Sequence, residues 1–205
     1  MKSQWLQRND ADELILVFSG WALGAAPFAP LGGSADVLLL SDYRTLDFDL
    51  ETLAPYARRS LIAYSFGVAA AGHALASTEL EFDRKVAACG SLHPSDERFG
   101  IPPERVRQTA DQLTEASLRQ FARRVGSPLP EAPDIPALQD ELFAVIARGP
   151  APDPGFDRIW LGRNDRIFPP ENLEAAWRDQ AEGVRWLETG HNPFAAFADW
   201  RDVLA

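Results

Sequence analysis

Three side chains in one order carry the chemistry that this chain offers: Ser65, Asp165 and His191. A serine hydroxyl is a poor nucleophile at neutral pH. An imidazole, which titrates near ~6.5 in water, can take its proton and pass it to a leaving alcohol. A carboxylate behind the imidazole fixes the ring's tautomer and stabilises the imidazolium. Ser65 sits in Ala63-Tyr64-Ser65-Phe66-Gly67, with a small residue two places to either side. That spacing suits a strand that turns into a helix within a residue or two, because the two elements nearly touch there. The usual pattern has glycine first, and here Ala63 stands in its place. Alone, such a string also arises at a helix N-cap, so the remainder of the chain must decide.

The elements that would position these residues are legible as apolar runs. Leu14 to Phe18, Asp36 to Leu40 and Leu61 to Tyr64 are continuous runs, as strands buried on both faces require. Lys85 to Cys89, Ile159 to Leu161 and Val184 to Leu187 repeat the pattern, and Gln4 to Gln7 reads as a short edge strand. A helix rich in small residues is predicted from Phe66 to Leu75. Strand alternating with helix predicts an α/β fold with a mainly parallel sheet of six or seven strands, covered on both faces.

The stretch from about 94 to 154 breaks the alternation. Pro102 to Val125 keeps Val106, Ala110, Leu113, Leu118 and Phe121 near one face, and Ile135 to Arg148 does the same with Leu138, Leu142, Val145 and Ile146. Proline-rich segments bound both patterns. Two long helices with no strand between them predict a helical cap inserted over the strand ends.

In a doubly wound sheet, ligands meet the carboxyl ends of the strands. Ser65, Asp165 and His191 each follow a predicted strand, and serine, aspartate, histidine is the order found in α/β-hydrolases. The tetrahedral oxyanion of an acyl transfer needs two backbone donors. Phe66 N–H, just after the nucleophile, is one. The N–H of Trp21, in the loop after Leu14 to Phe18, is the other, with Gly20 allowing a close approach. His93 also follows a strand and is the rival base. His73, eight residues into the helix, lies about 12 Å from the serine and is too far for proton transfer. Asp42 reads as a turn residue and Cys89 as core. No metal-ligand spacing and no phosphate-binding glycine pattern occurs, so neither metal nor cofactor is expected.

The totals narrow the function further. At 205 residues the chain is sized for one domain, 1–205. Thirty acidic against twenty basic residues give a net charge of −10, which argues against nucleic acid as a partner. A single cysteine leaves no internal disulfide framework, no apolar run approaches the ~18 residues of a membrane span, and Met1 to Asp12 lacks the apolar core of a signal peptide. A cytoplasmic protein is the expectation.

With these residues in view, the chain resembles the pimeloyl-acyl carrier protein methyl ester esterases of biotin synthesis, of the short BioG type. The resemblance is carried by Ser19-Gly20-Trp21 after its strand, by Ala63-Tyr64-Ser65-Phe66-Gly67-Val68, by Asn164-Asp165-Arg166-Ile167-Phe168 and by Gly190-His191-Asn192-Pro193-Phe194. Phe99-Gly100-Ile101-Pro102 and Arg123-Arg124 are the more family-specific segments, and Ala63 fits the family's pattern. The resemblance implies an α/β-hydrolase fold and a triad of Ser65, Asp165 and His191. It implies removal of a methyl group from a carrier-bound pimeloyl methyl ester, without a cofactor. Burying the ~5 methylenes of such an acyl chain would contribute ~4 kcal/mol, and Val106, Leu113 and Phe121 are the expected wall. Acyl carrier proteins are acidic like this chain, so docking calls for a local basic patch, and Arg119, Arg123 and Arg124 offer one. Two other readings stay open: a general short-chain carboxylesterase or thioesterase, and a binding protein of the same fold without turnover.

Overall fold

The computed structural model describes residues 1–130 and 132–205. Seven strands form one sheet among the described residues: β1 (Lys2–Gln7), β2 (Glu13–Phe18), β3 (Asp36–Ser41), β4 (Arg58–Tyr64), β5 (Arg84–Ala88), β6 (Arg158–Gly162) and β7 (Val184–Leu187). Their order is β1-β3-β2-β4-β5-β6-β7, with only the edge strand β1 antiparallel. The edge strand pairs with β3, so the chain between β1 and β2 is not a hairpin turn.

The continuous apolar runs follow from burial on both faces. Leu14, Leu16 and Phe18 of β2 join one core with Leu61 and Ala63 of β4, while Ile15 and Val17 join the other with Ile62 and Tyr64. Each fully buried aliphatic side chain contributes ~1.5–3 kcal/mol, so neither face can be left to solvent. Helix α1 (Gly67–Leu75) packs its small residues against the first face. The second face is covered by Phe28, Phe194 and, from the last helix, Trp200 and Val203.

Between β5 and β6 lie three helices, not the two expected: α2 (Pro103–Asp111), α3 (Glu115–Val125) and α4 (Ile135–Arg148). The Pro102 to Val125 pattern breaks because Thr114 leaves the helical region (φ −138°, ψ 165°) and starts a new helix. Its hydroxyl accepts from Ser117 N–H at 3.1 Å while Ser117 Oγ accepts from Thr114 N–H at 2.9 Å. This reciprocal cap satisfies donors that a helix start would otherwise leave unpaired. Helix α5 (Pro170–Ala176) follows β6, and α6 (Trp200–Leu204) closes the chain. Among the described residues no helix is long and apolar enough to cross a membrane.

Candidate active site

The strand order reverses about β2: the chain goes to β3 on one side, then returns to β4 on the other. The carboxyl ends of β2 and β4 therefore lie side by side at the switch point, where such sheets bind ligands. Ser65 ends β4. Its N–H still bonds to Ala88 O of β5 at 2.9 Å, yet its carbonyl already accepts from Val68 N–H of α1 at 3.1 Å. One residue thus serves both strand and helix, and its φ of +57° is the cost of that turn. The small neighbours are needed sterically. A Cβ on Gly67 would lie 2.4 Å from Phe18 O, and one on Gly90 would lie 2.2 Å from Ser65 O.

Asp165 sits in the turn after β6, and His191 in the loop after β7. These two loops touch closely, since a Cβ on Gly162 would come within 2.2 Å of Gly190 O. That approach brings the side chains together. His191 Nδ1 lies 2.8 Å from Asp165 Oδ2, and His191 Nε2 lies 3.0 Å from Ser65 Oγ. The other carboxylate oxygen of Asp165 accepts from Ile167 N–H at 2.7 Å and Phe168 N–H at 3.0 Å. Both carboxylate oxygens are engaged, which aims the group at the imidazole. The His191 ring is fully buried, stacked on Phe168 at 6.0 Å and flanked by Tyr64 at 5.2 Å. An imidazole Nδ1–H held on a carboxylate leaves Nε2 free to accept the serine proton.

Trp21 N–H and Phe66 N–H, the expected oxyanion donors, both come from residues that line the same cavity as Ser65. Among the described residues neither N–H is bonded to a protein acceptor. Gly20 keeps this approach close, because a Cβ on it would crowd the Leu23 side chain at 2.9 Å, the Tyr64 ring at 3.0 Å and the Ser65 Cβ at 3.2 Å. The Trp21 indole packs edge-on against Phe121 of α3 and donates to Leu138 O of α4 at 2.9 Å.

The cavity above Ser65 measures about 280 Å³. Ile101, Val106, Phe121 and Leu142 give it an apolar wall, with Ile167 opposite. Of the three residues expected in that wall, Val106 and Phe121 are there, whereas Leu113 is buried in the core instead. Three arginines, Arg105, Arg124 and Arg166, also line it. Sequence reasoning singled out only Arg124 of these. Arg119 points to solvent, with its guanidinium 3.2 Å from Glu115, and Arg123 is exposed in the last turn of α3. The signal for Arg105 was its place on α2, directly before Val106. That for Arg166 was its place next to Asp165.

The rivals lie elsewhere. The His93 ring packs on Phe99 at 5.3 Å and is not part of the cavity lining. His73 faces Gly149 O at 3.2 Å. Cys89 is fully buried, and burial pushes its thiol pKa well up, so it stays protonated. Asp42 is held low, near 2, by the Arg44 guanidinium that it pairs with. Among the described residues no group of acidic, histidine or cysteine side chains is placed to hold a metal ion.

Comparison with known proteins points the same way. The family described as pimeloyl-ACP methyl esterase BioG matches residues 1–203. A malonyl-[acyl-carrier protein] O-methyltransferase from Bacteroides fragilis is 35% identical over 193 residues, 87% of this chain. The chain spans only 39% of that relative's length. An uncharacterized protein of Haemophilus influenzae is 31% identical over 92% of this chain and 93% of its own. Among solved structures, BioG from Haemophilus influenzae superposes with a TM-score of 0.88 at 27% identity, over the whole of both chains. The RedJ thioesterase from Streptomyces coelicolor shares the α/β-hydrolase fold, with a TM-score of 0.61 at 17% identity over 95% of this chain and 84% of its own.

Proposed function

This chain belongs to the BioG family of pimeloyl-ACP methyl esterases, and we propose that it is a serine carboxylesterase that converts pimeloyl-acyl carrier protein methyl ester and water to pimeloyl-acyl carrier protein and methanol. The observation that carries this reading is the relay Asp165–His191–Ser65, with contacts of 2.8 and 3.0 Å, whose serine lines a partly apolar cavity. Ser65 Oγ attacks the ester carbonyl while His191 Nε2 takes its proton. The carbonyl electrons move to oxygen, where Trp21 N–H and Phe66 N–H stabilise the charge. The intermediate collapses, the C–OCH₃ bond breaks, and His191 returns the proton so that methanol leaves. Water then adds to the acyl-serine with His191 as base, freeing Ser65 and the product carboxylate. Asp165 holds the imidazole throughout and stabilises its charged form.

The apolar wall suits an acyl chain, and the arginines suit an acidic carrier that bears a phosphate on its prosthetic arm. Arg124 at the cavity, with Arg123 beside it and Arg119 one turn earlier, is the proposed docking strip, which Arg105 and Arg166 extend. The name of the Bacteroides relative supports a carrier-bound methyl ester, since an O-methyltransferase acting on an acyl-carrier protein is the class of reaction that makes one. The absence of a disulfide-capable cysteine pair agrees with a cytoplasmic setting.

The test is direct. The purified chain is incubated with pimeloyl-acyl carrier protein methyl ester, and the carrier is weighed by mass spectrometry. Loss of one methylene unit with release of methanol is expected, together with labelling of Ser65 by a fluorophosphonate. Cleavage at the thioester instead, releasing the free carrier, would make the protein a thioesterase. Labelling without turnover of any ester would leave a binding protein.

A further inference from the structure

Glu141 is a charged residue of α4 that is only 4% exposed and has no part in the relay. Its Oε1 accepts from Tyr43 N–H at 3.0 Å. About two helical turns further on, Arg148 donates to Tyr43 O at 2.7 Å. Both backbone polar groups of Tyr43 are thus taken by side chains of one cap helix. Tyr43 is fully buried, and its hydroxyl donates to Ser19 O at 2.6 Å and, more weakly, to Leu40 O at 3.3 Å.

Ser19 begins the Ser19-Gly20-Trp21 segment that carries one oxyanion donor. The segment leads into backbone that does not hold itself: Ala22, which carries a Cβ, has a φ of +64°. Left-handed conformations persist only where their surroundings over-determine them. Here Ser19 N–H bonds to Leu40 O at 3.0 Å, Ser19 Oγ to Gly24 O at 2.7 Å, and the Trp21 indole to Leu138 O of α4 at 2.9 Å.

We propose that Glu141, Arg148 and Tyr43 are positioning residues: a clamp through which α4 holds the Ser19–Trp21 segment, and with it the Trp21 N–H, in register with Ser65. The inference rests on the reading of Ser65 as nucleophile and of Trp21 N–H as oxyanion donor. The groups facing Glu141 are Asp42 and Arg44 on either side of Tyr43, Lys2 from β1 and Arg148 from its own helix, and Asp134 lines the same crevice. Burial pushes the Glu141 carboxyl up to about 7, against the opposing pull of the Tyr43 N–H bond. Neither protonation state breaks the clamp, because a carboxylate oxygen and the carbonyl oxygen of the neutral acid both accept from an N–H. Burial also keeps the Tyr43 phenol protonated, as a donor to Ser19 requires.

The experiment compares Tyr43→Phe, Arg148→Met, Glu141→Leu and Glu141→Gln in the full chain. Two quantities are read: kcat and KM on a small soluble methyl ester, and affinity for a trifluoromethyl ketone. Ser65 Oγ adds to that ketone's carbonyl carbon, the proton passes to His191, and the carbonyl electrons become an oxyanion at the proposed donors. Tyr43→Phe is expected to lower kcat by about 10- to 100-fold with KM unchanged. Affinity for the ketone should fall by the same factor, while the melting curve remains cooperative. Glu141→Leu follows Tyr43→Phe, whereas Glu141→Gln, which keeps an acceptor for Tyr43 N–H, stays within about threefold of the parent protein. If Tyr43→Phe does not fold, Arg148→Met answers the same question. A folded variant with parental kcat and ketone affinity overturns the proposal, as does a loss that only follows the unfolded fraction. A parent chain that neither turns over the ester nor takes a fluorophosphonate at Ser65 overturns the site reading itself, and the clamp with it. That result is distinct from a working enzyme indifferent to Tyr43.

Discussion

Replacing Gly67 by alanine tests whether the strand-to-helix turn at Ser65 is as tight as its geometry implies. The added Cβ would stand 2.4 Å from Phe18 O, 2.6 Å from Ser19 O and 2.8 Å from Phe18 C. All three are backbone atoms at the end of β2, so no rotamer change can clear them. Ordinary contact starts near ~3.4 Å, so the start of α1 must move from β2 by about 1 Å. Overpacking of this kind costs about 1–3 kcal/mol. The move also acts on the site, because Phe66 N–H and Ser65 Oγ ride on that turn while Trp21 N–H rides on the continuation of β2. A misplacement of ~1 Å at reacting groups costs on the order of 100-fold. Gly67→Ala should therefore lose about 1–3 kcal/mol in urea unfolding and about 100-fold in kcat on a soluble methyl ester. Ala63→Gly, which adds no atom, should keep most of its activity. A Gly67→Ala protein with parental stability and kcat would refute the close-approach argument, and with it the reason for small residues around Ser65.

Further outcomes are expected. Ser65→Ala and His191→Ala should each lower kcat by ~10⁶, and the double variant should be little worse, because the two groups act on one step. His93→Ala, whose ring packs on Phe99 away from the cavity, should leave ester hydrolysis intact, and a loss matching that of His191→Ala would reassign the base. Arg119→Glu with Arg123→Glu, both exposed and outside the cavity lining, should raise KM for a carrier-linked ester and leave a small methyl ester unaffected. Added salt should weaken only the carrier reaction, as the screening length falls to ~8–10 Å. Equal loss on both substrates would mean that the arginines support the cap. For stability, the folded Glu141 carboxyl, near 7, lies above the 4.5 of an exposed glutamate. The folded chain then binds more protons than the unfolded one between these values, so this group's contribution to stability falls as pH rises from about 4.5 to about 7. The span corresponds to ~3 kcal/mol at most, and Glu141→Gln should flatten that slope and raise the urea midpoint at pH 8. A slope unchanged in the variant would contradict it.

What could be read before the structure, and what could not, divides along a physical line. The sheet was legible because burial on both faces demands unbroken apolar runs, and Ile15, Leu16 and Val17 leave little else to form. That Ser65, Asp165 and His191 would meet was legible because each lies in the loop that follows such a run, where a parallel sheet puts its loops at one edge. The break in the cap was missed because Val106, Ala110 and Leu113 keep the apolar period up to the point where Thr114 turns the chain. An interruption by a capping residue leaves no mark in a hydrophobic pattern, and only the pairing of Thr114 with Ser117 carried the signal. Glu141 was missed for the opposite reason: a charged residue in an amphipathic helix is read as solvated. Yet it stands three residues after Leu138 and four before Val145, on the face that α4 buries. A carboxyl held on that face must find a donor or lose its charge. The one it finds is the backbone of Tyr43, whose hydroxyl donates to Ser19 O in the loop after β2. The buried charge on this apolar stripe therefore marks the place where α4 is joined to the sheet, and position in the helical period, not residue type, is what reveals it.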